Sequence, residues 1–373
     1  MKKITVLLFN DFVNDNRVLK ECRSLQENGY EVQLYATHFD KKLPQKEVVE
    51  GFKVTRINVG RFEFLLFNLP LFWIKTFFRC RKDEIFHCND LYALPPAYFL
   101  KKIVNKKIKI VYDCHEHETE AKIYIGKPII KKIAQIFEKA MIKSADKVIT
   151  VSNSIAEDYV RMYDIPKPVL VLNSPMFQTV PKQDHFREDL GISKDKTIFL
   201  FQGKYLPGRG LDNLIDIFKK LEPINKDIVL VFMIYGEGSE KVKEQIKNSH
   251  NIYWHEKVSV MEYMHYVASA DWGIYLMENI CKNHDYALPN KIFDYVLGGL
   301  PVVVSNLKEM SSFVKDNGVG YVINPEDQEM VVNLLQKINK DTKKQFIPNL
   351  IKTSKKYCWE EQEKVLLKLY NSL

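Results

Sequence analysis

The segment LPNKIFDYVLGGLPVVVS, residues 288–305, holds residue types at a spacing that could bind a nucleotide. A turn at Pro289 precedes a short helix pattern, and Asn290 is predicted to cap that helix. The free amides at a helix start, together with the helix dipole, favour an anion such as phosphate. Asp294 follows one turn later on the same face, where its carboxylate could accept hydrogen bonds from ribose hydroxyls. An ordinary helix start with a solvent-facing Asp is the alternative.

A second segment of this kind is the loop GKYLPGRG, residues 203–210, which follows a strand pattern and opens a helix pattern. Its glycines give a flexible backbone, Lys204 adds a mobile point charge, and Arg209 adds a planar fork of donors. This combination suits a diphosphate. A glycine-rich turn with surface cations explains the loop equally well when the loop is taken alone.

Strand patterns that could position these segments alternate with helix patterns along the chain. They read ITVLLF, VQLYA, KVTRIN, EIFHC, IKIVYD, KVITVS and VLVLN, then TIFLFQG, DIVLVFMIYG, NIYWH, DWGIYL, LPVVVSN and GYVIN. Such alternation predicts mostly parallel sheets with right-handed crossovers. Residues 173–196 interrupt it with prolines and charged residues, which indicates a linker. We therefore predict two α/β domains, residues 1–172 and 197–354, on either side of a linker at 173–196.

Polar side chains directly follow several of these strand patterns. Those of the first half are Asn10, Asp11, His87, Asn89, Asp90, Asp113, His115, Glu116, Ser152 and Asn153. Ligands of open parallel sheets bind beyond the carboxyl ends of the strands. Two such edges facing each other would form a cleft, and that is where the sequence predicts the chemistry.

Composition excludes several other classes of protein. The chain has 373 residues, 46% apolar and 27% charged, which is typical of a globular protein with two cores. The first apolar run is too short for a signal peptide, and residues 64–78 are too short and too polar to span a bilayer. Six cysteines without a C-x-x-C pair argue against zinc or a disulfide framework, so we expect a cytoplasmic protein.

The net charge of +8 fits nucleic acid, an anionic membrane surface or phosphorylated substrates. No nucleic-acid motif is recognisable, so no nucleic-acid partner is expected. A G-x-G-x-x-G after the first strand is absent, which weighs against a dehydrogenase. A D-x-D pair is also absent, so no metal dependence is expected.

Taken in order, these segments resemble the retaining nucleotide-sugar glycosyltransferases of the GT-B fold, family 4. The segments that carry the resemblance are NDNRVLKECRSLQENGYEVQLYA, YDCHEHE, SADKVITVSNSIAEDY, GKYLPGRG, SADWGIYL, LPNKIFDYVLGGLPVVVS and KKYCWEEQEKVLLKLY. The resemblance implies two Rossmann-like domains facing across a cleft, the first for the acceptor and the second for the donor. It also implies that the last helix, residues 355–373, packs back on the first domain.

The resemblance assigns roles to individual residues. The donor would be bound by Gly203, Lys204, Arg209, Leu288, Pro289, Asn290, Lys291 and Asp294. Lys204 and Arg209 would stabilise the departing diphosphate, and His115 would sit near the sugar; a structural histidine held by Glu116 and Glu118 is the alternative. No cofactor is implied beyond the sugar nucleotide, and no protein nucleophile is evident.

The sequence departs from the family at one position. Family members commonly show two glutamates eight positions apart, and here Tyr286 and Asp294 stand at those positions. Asp294 can still reach a ribose, but Tyr286 supplies no carboxylate near the donor sugar. Glu278, Asp285 and His284 are the nearby groups that could replace it.

On the acceptor side, Asp90 and the loop with Asp11, Asn14, Asp15 and Arg17 could hold acceptor hydroxyls or a lipid diphosphate. Arg17 is the preferred cation of this group, and Asp11, Arg17 and Asp90 are predicted acceptor contacts. Helix capping and turn formation are the alternative for the same residues.

Residues 125–147 form a basic amphipathic helix pattern. Ile129, Ile130, Ile133, Phe137, Ala140 and Met141 share one face, and Lys131, Lys132, Lys139 and Lys143 surround the other. With the aromatic and basic residues of 72–82, this helix could lie on an anionic leaflet at the inner face of the membrane. A helix packed on the sheet with solvated lysines is the alternative.

The sequence thus predicts transfer of a sugar from a UDP- or GDP-sugar to a glycan or lipid-linked acceptor, with retention, in surface polysaccharide synthesis. Two other functions remain open. One is a GT-B-like epimerase or phosphorylase, which uses a similar cleft. The other is a non-catalytic partner subunit, for which Tyr286 would mark a degraded donor site.

Overall fold

The computed structural model describes residues 2–13, 15–60 and 65–373. Asn14 of the predicted acceptor loop and Phe64, the first residue of the apolar run 64–78, lie outside those residues. The chain divides into two compact units. The first comprises the chain up to Asn173 together with Glu361–Leu373, and the second comprises Ser174–Glu360.

The first unit contains an eight-stranded sheet of order β3-β4-β2-β1-β5-β6-β7-β8. Its strands are β1 Lys3–Leu7, β2 Glu31–Thr37, β3 Lys46–Val49, β4 Phe52–Ile57, β5 Ile85–Asn89, β6 Lys109–Cys114, β7 Lys147–Thr150 and β8 Val169–Leu170. All pairs are parallel except β3 with β4. The sequence did not reveal β3, because it is a short edge strand whose residues are half-buried or exposed.

Helices cover this sheet at α1 Asn16–Glu27, α2 Leu65–Arg79, α3 Asp90–Phe99, α4 Pro128–Ile142 and α5 Asn153–Tyr163. The first of them shows how the sequence sets their limits. Asp15 caps α1 by accepting a hydrogen bond from the Val18 amide, and Gly29 follows its end with a φ of 87°. The buried side chains Val18, Cys22 and Leu25 recur at helical spacing, as predicted.

The second unit contains a six-stranded parallel sheet of order β11-β10-β9-β12-β13-β14. Its strands are β9 Thr197–Lys204, β10 Ile228–Tyr235, β11 Ile252–Trp254, β12 Trp272–Tyr275, β13 Val302–Ser305 and β14 Gly320–Ile323. Its helices are α6 His185–Leu190, α7 Leu211–Leu221, α8 Ser239–Ile246, α9 Tyr263–Ser269, α10 Lys282–Asp285, α11 Asn290–Leu297, α12 Lys308–Asn317, α13 Gln328–Leu335 and α14 Ile347–Lys356. Two parallel-sheet α/β units in tandem are the arrangement predicted from the sequence.

The segment predicted as a linker belongs mostly to the second unit and contains α6. Arg187 of α6 is buried and donates to Asp271 Oδ2 at 2.6 Å. Lys182 donates to the Ala270 carbonyl at 2.6 Å and lies 3.2 Å from Asp271 Oδ1. The charged residues that made this segment look like a linker are thus fixed by a buried carboxylate.

The last helix, α15 Trp359–Asn371, carries the chain back to the first unit, to which Glu361–Leu373 belongs. Tyr370 is buried there, with its hydroxyl 2.7 Å from His87 Nδ1. Among the residues that the structure describes, no helix is both long enough and apolar enough to cross a membrane.

Candidate functional site

The glycine-rich loop of the second unit follows β9 and leads into α7. Gly203, Gly208 and Gly210 all have positive φ, which glycine adopts without strain. A Cβ on Gly210 would lie 1.8 Å from the Leu276 carbonyl oxygen. Only glycine therefore lets this loop close on the end of β12, and that contact fixes where Arg209 lies.

Two cations of this unit meet at one aromatic ring. Arg209 Nη1 donates a hydrogen bond to the Tyr275 hydroxyl at 2.7 Å. Lys291 Nζ lies 4.1 Å from the Tyr275 ring centroid and 4.6 Å from that of Phe201. Neither cation is in a salt bridge with a carboxylate in the part of the chain that the structure describes. Asp294 acts on Lys291 electrostatically but forms no salt bridge with it, so the two cations retain a net positive charge that attracts an anion.

Lys204 adds a third positive charge at the end of β9, where its side chain is exposed and also lacks an ion pair among the described residues. Burial, and then the charge of Arg209, lowers the pKa of Lys291 to about 7. A diphosphate beside Lys291 would favour its charged form. The sequence assigned Lys291 to the donor site through its backbone, and the structure adds its side chain.

Helix α11 begins at Asn290 with Pro289 as its N-cap, and no side chain caps it. The prediction that Asn290 caps this helix was wrong, because Asn290 is already its first helical residue. The side chain of Asn290 is exposed, and Leu288 and Pro289 before it are half-buried. A helix start without a side-chain cap leaves amides that an anion can bind.

Asp294 lies on the same helix, one turn after Asn290. Its Oδ2 accepts a hydrogen bond from the Tyr263 hydroxyl of α9 at 2.8 Å. Burial, and then the charge of Asp294, raises the pKa of Tyr263 well above its usual value, so this hydroxyl stays a donor. Tyr263 therefore orients the carboxylate predicted to bind ribose, and no sequence motif pointed to it.

The three groups that could replace the missing glutamate differ in their surroundings. Asp285 Oδ1 accepts from the Lys308 amide at 3.0 Å at the start of α12, which is a structural role. His284 is buried, with Nδ1 2.8 Å from the Glu278 carbonyl oxygen. The Glu278 side chain is exposed and has no hydrogen bond or ion pair among the described residues. Of these three groups, only the side chain of Glu278 remains available to replace the glutamate.

The first unit contains a buried cluster of charges around Arg17. Its guanidinium donates to both oxygens of Asp113 at 2.7 and 3.0 Å, lies 3.1 Å from Glu21 Oε1 and donates to the Val171 carbonyl at 2.8 Å. Arg17 was expected to bind an acceptor, but its side chain is only 3% exposed. That expectation was wrong, because these carboxylates already hold the cation inside the unit.

His115 follows β6, next to this cluster. Its Nε2 lies 3.0 Å from Asp113 Oδ2, and its Nδ1 lies 3.4 Å from Asp90 Oδ2. Burial opposes the charged form, but Asp90 and Asp113 outweigh it and raise the pKa of His115 to about 9. The imidazole is therefore a fixed cation at neutral pH, held by two carboxylates, with its ring still partly exposed.

Asp90 is strained at the start of α3, with a φ of 62° that side-chain-bearing residues rarely adopt. Its Oδ1 accepts from the His115 amide at 3.0 Å. Asp90, predicted as an acceptor contact, thus contacts His115 through both of its oxygens.

Asp11, the remaining predicted acceptor contact, accepts from the amides of Phe39 and Asp40 at 2.6 and 3.0 Å. Both oxygens are engaged in fixing the loop after β2. The structure therefore favours the turn-forming alternative for Asp11.

Glu21, His87 and Asp113 each offer a potential metal-ligand atom, and these three atoms lie within 4.8 Å of one another. Arg17 already pairs with both carboxylates, however. Burial opposes the charged form of His87, but Asp113 and Glu21 raise its pKa to about 9. Two cations therefore balance two carboxylates, and the residues present do not make a metal site.

Comparisons with known proteins identify the family to which this chain belongs. The family model "Glycosyltransferase Family 4" matches residues 16–174, and "Glycosyl transferases group 1" matches residues 182–356. Together they cover nearly the whole chain. The boundary between the two models lies close to the boundary between the two units.

The matches to individual relatives have low sequence identity but extend over most of the chain. The chain is 21% identical over 368 residues to the Candida albicans chitobiosyldiphosphodolichol beta-mannosyltransferase, covering 88% of this chain and 78% of that one. It is 21% identical over 272 residues to the Salmonella typhimurium lipopolysaccharide 1,2-N-acetylglucosaminetransferase, covering 69% of each. The solved structure of the Anabaena protein HepE in complex with UDP-glucose matches with a TM-score of 0.74 at 14% identity, covering 100% of both chains.

Both halves of the chain match models of the same enzyme class, and the fold is that of solved GT-B proteins. The chain belongs to the family 4 glycosyltransferases of the GT-B fold, enzymes that use nucleotide-sugar donors.

Proposed function

We propose that this chain transfers a sugar from a UDP- or GDP-sugar to a glycan or lipid-linked acceptor, with retention of configuration and without a metal. One observation carries the donor half of the proposal. Arg209 and Lys291 converge on Tyr275 without a carboxylate partner among the described residues. This is the electrostatic environment that a departing diphosphate needs.

The second unit would stabilise the leaving group as the bond between the sugar and the diphosphate breaks. Arg209 offers a fork of donors, while Lys204 and Lys291 offer point charges. The amides at the start of α11 add the positive end of a helix dipole. Asp294, oriented by Tyr263, would accept hydrogen bonds from the ribose and so fix the nucleotide relative to these cations.

The first unit would supply His115 on the acceptor side. Both N–H groups of its imidazole are directed at carboxylates, Nε2 at Asp113 and Nδ1 at Asp90, so the imidazole would act through its fixed positive charge and not as a free hydrogen-bond donor. We assign that charge to a developing negative charge of the reacting groups. Its nitrogens cannot act as a base while protonated, so acceptor activation falls to another group.

The biological setting is part of the proposal. The Salmonella relative is named for lipopolysaccharide and the Candida relative for a diphosphodolichol acceptor, which supports a surface polysaccharide or a lipid-linked glycan as product. HepE was solved with UDP-glucose, which supports UDP as the first nucleotide to test. A lipid-linked acceptor would place the enzyme at the cytoplasmic face of a membrane.

A thermal-shift panel of nucleoside diphosphates and their sugar conjugates tests the donor site. Stabilisation by one diphosphate is expected, since a ligand that binds only the folded state raises its stability. Arg209→Ala and Asp294→Ala should each lose this stabilisation. Lys315→Ala, an exposed position on α12, is the control that should keep it.

Activity assays with the same compounds, read together with the thermal shifts, separate the alternative functions. Donor hydrolysis or transfer without a partner protein supports an enzyme. Conversion of the sugar nucleotide without an acceptor would favour an epimerase, and a requirement for free phosphate would favour a phosphorylase. No stabilisation by any nucleotide at high concentration would overturn the proposal in favour of a non-catalytic subunit.

A further inference from the structure

Helix α4 of the first unit turns its apolar face outward. Ile129, Ile133 and Ile136 are 75%, 62% and 60% exposed, and their spacing places them on one face. The opposite face is buried and contains Glu138 and Met141. A helix packed on a sheet normally buries its isoleucines and exposes its carboxylate, so α4 is reversed.

Hydrogen bonds to Glu138 hold the helix in this orientation. The buried carboxylate accepts from the hydroxyls of Tyr112 at 2.9 Å and Tyr159 at 3.0 Å, and also from that of Tyr163. Rotating the helix to bury its isoleucines would break these bonds and leave the buried hydroxyls of Tyr112 and Tyr159 unpaired. The exposed isoleucine face is therefore a built feature of the unit.

Helix α2 carries a second apolar stripe. Phe67, Leu71, Ile74 and Phe78 recur at intervals of four, three and four and are all exposed, with Phe67 at 76%. Trp73 of α2 stacks on Phe137 of α4, with ring centroids 5.9 Å apart. The two stripes thus lie on neighbouring helices of the same unit. We call these two stripes the apolar surface.

Lysines border the apolar surface and outnumber the carboxylates beside it. Residues 121–143 contain six lysines and a single acid, Glu138, which is buried. Two of these lysines have carboxylate partners outside that range: Lys131 pairs with Glu120 at 2.5 Å, and Lys143 lies 3.8 Å from Asp164. Residues 65–82 contain four basic residues and no acid. A second copy of this chain would bring like charges together, whereas an anionic leaflet would complement both the lysines and the isoleucines.

We propose that the apolar surface binds the anionic leaflet of a membrane, with the isoleucines and phenylalanines entering the interface and the lysines meeting lipid headgroups. No described helix could cross the bilayer, so this is binding in the plane of the membrane. If the chain transfers a sugar to a lipid-linked acceptor, as proposed above, that acceptor would lie in the membrane surface that the first unit contacts.

Sedimentation of the full chain with lipid vesicles tests the proposal. Vesicles of phosphatidylcholine alone are compared with vesicles that also contain phosphatidylglycerol. We expect binding to the anionic vesicles that weakens as salt is added, because the lysine contribution is screened. Equal binding to both vesicles, or binding to neither, would overturn the proposal.

Serine variants separate the apolar surface from the rest of the chain. Replacing Ile129, Ile133 and Ile136 together with Ser should weaken vesicle binding by about tenfold or more, because apolar area drives interfacial binding. The control makes the same change at three exposed isoleucines of the second unit: Ile224, Ile347 and Ile351. If both triple variants bind alike, the apolar surface is not the site.

Two further readouts keep the outcomes distinct. A dimer that dissociates in the Ile129, Ile133 and Ile136 variant, without vesicle binding, would assign the surface to a second copy and overturn the lipid proposal. Nucleotide stabilisation should be unchanged in that variant, because the donor residues lie in the second unit. If nucleotides do not stabilise the wild-type chain either, the proposed sugar transfer is refuted, but the result of the vesicle experiment is unaffected.

Discussion

Lys291 Nζ lies 4.1 Å from the centre of the Tyr275 ring, whose hydroxyl accepts a hydrogen bond from Arg209. The ring therefore contacts two cations whose charges still repel each other, since burial, and then the charge of Arg209, lowers the pKa of Lys291. Tyr275 interacts with Arg209 through its oxygen and with Lys291 through its π-face, whose quadrupole attracts a cation. The arrangement keeps both positive groups in place before a diphosphate arrives.

Donor binding should therefore take up a proton at Lys291. Its pKa of about 7 makes it largely neutral at pH 8, and a diphosphate would raise that pKa. Donor affinity should fall as pH rises above 7. Titration calorimetry at pH 8 in buffers of different ionisation enthalpy should measure the proton taken up.

Two substitutions test whether Lys291 is the group that takes up this proton. Lys291→Met should weaken donor binding by about 1.5–3 kcal/mol at pH 7, the range for a hydrogen bond to a charged group. Lys291→Arg keeps the charge at all these pH values, so it should bind without proton uptake. Undiminished proton uptake in Lys291→Arg would show that another group titrates.

Removing the Tyr263 hydroxyl should weaken ribose recognition. Tyr263→Phe leaves Asp294 without its 2.8 Å hydrogen bond, so the carboxylate loses its fixed orientation. We expect donor affinity to fall by about 0.5–1.5 kcal/mol, the usual net value of one hydrogen bond. The loss should be smaller for a 2′-deoxy donor, since fewer hydroxyls depend on Asp294.

Tyr266→Phe is the matched control for this prediction. Its hydroxyl also donates to a carboxylate, Asp189 Oδ2 at 2.7 Å, on the outside of the same unit. Affinity for the donor should be unchanged in this variant. An equal loss in both variants would mean that Tyr263 acts through general stability rather than through Asp294.

The order of strands and helices was largely predictable, because parallel sheets need β-branched runs separated by amphipathic helices, and both leave clear patterns. The loop with Lys204 and Arg209 and the short helix after Pro289 left local patterns of the same kind, and their role in donor binding stays a prediction. Tyr263 was not found, because it meets Asp294 only through the packing of α9 beside α11. Long-range contacts of this kind leave no local pattern.

Arg17 illustrates the opposite error, in which a charged residue in a loop-to-helix segment is interpreted as a ligand contact. Its partner Asp113 lies 96 positions away, so no local pattern indicated that the charge of Arg17 is neutralised. The isoleucines of α4 are a similar case. Periodicity predicted an amphipathic helix correctly, but only the tyrosines around Glu138 decide which face is buried.

Replacing Arg17 should destabilise the fold strongly. Arg17→Met leaves Asp113 and Glu21 as buried charges without their main partner, which costs about 3–5 kcal/mol of unfolding free energy. Urea unfolding measures this loss. Arg23→Met, next on the same helix and paired with the partly exposed Glu50 at 3.4 Å, should cost less than about 1 kcal/mol. Equal losses would contradict the structural role of Arg17.

The two histidines of this cluster should each contribute stability that is lost in mild alkali. His87 and His115 have pKa values of about 9 when folded, above the ordinary value of about 6.5 for an unfolded chain. Their stabilisation is therefore complete below pH 6.5 and is lost as pH rises through 9. The contribution of these histidines to the unfolding free energy should decline over this window, by at most about 1.4 kcal/mol per pH unit for each histidine. Lys291 and Lys343, whose pKa values burial lowers to about 7 and about 8, contribute in the opposite direction, so the histidine contribution is measured as the difference between the wild type and a histidine variant.

Urea unfolding at a series of pH values measures how the unfolding free energy depends on pH. Histidine variants then show which residue causes that dependence. Between pH 6.5 and 9, the wild type should lose more unfolding free energy than His115→Asn does, because Asn cannot gain the proton that Asp90 and Asp113 favour. His250→Asn, at an exposed position of the second unit, should leave the slope unchanged. A slope that is the same in the wild type and in His115→Asn would show that His115 is neutral when folded. It could then not serve as the fixed cation proposed for the acceptor side.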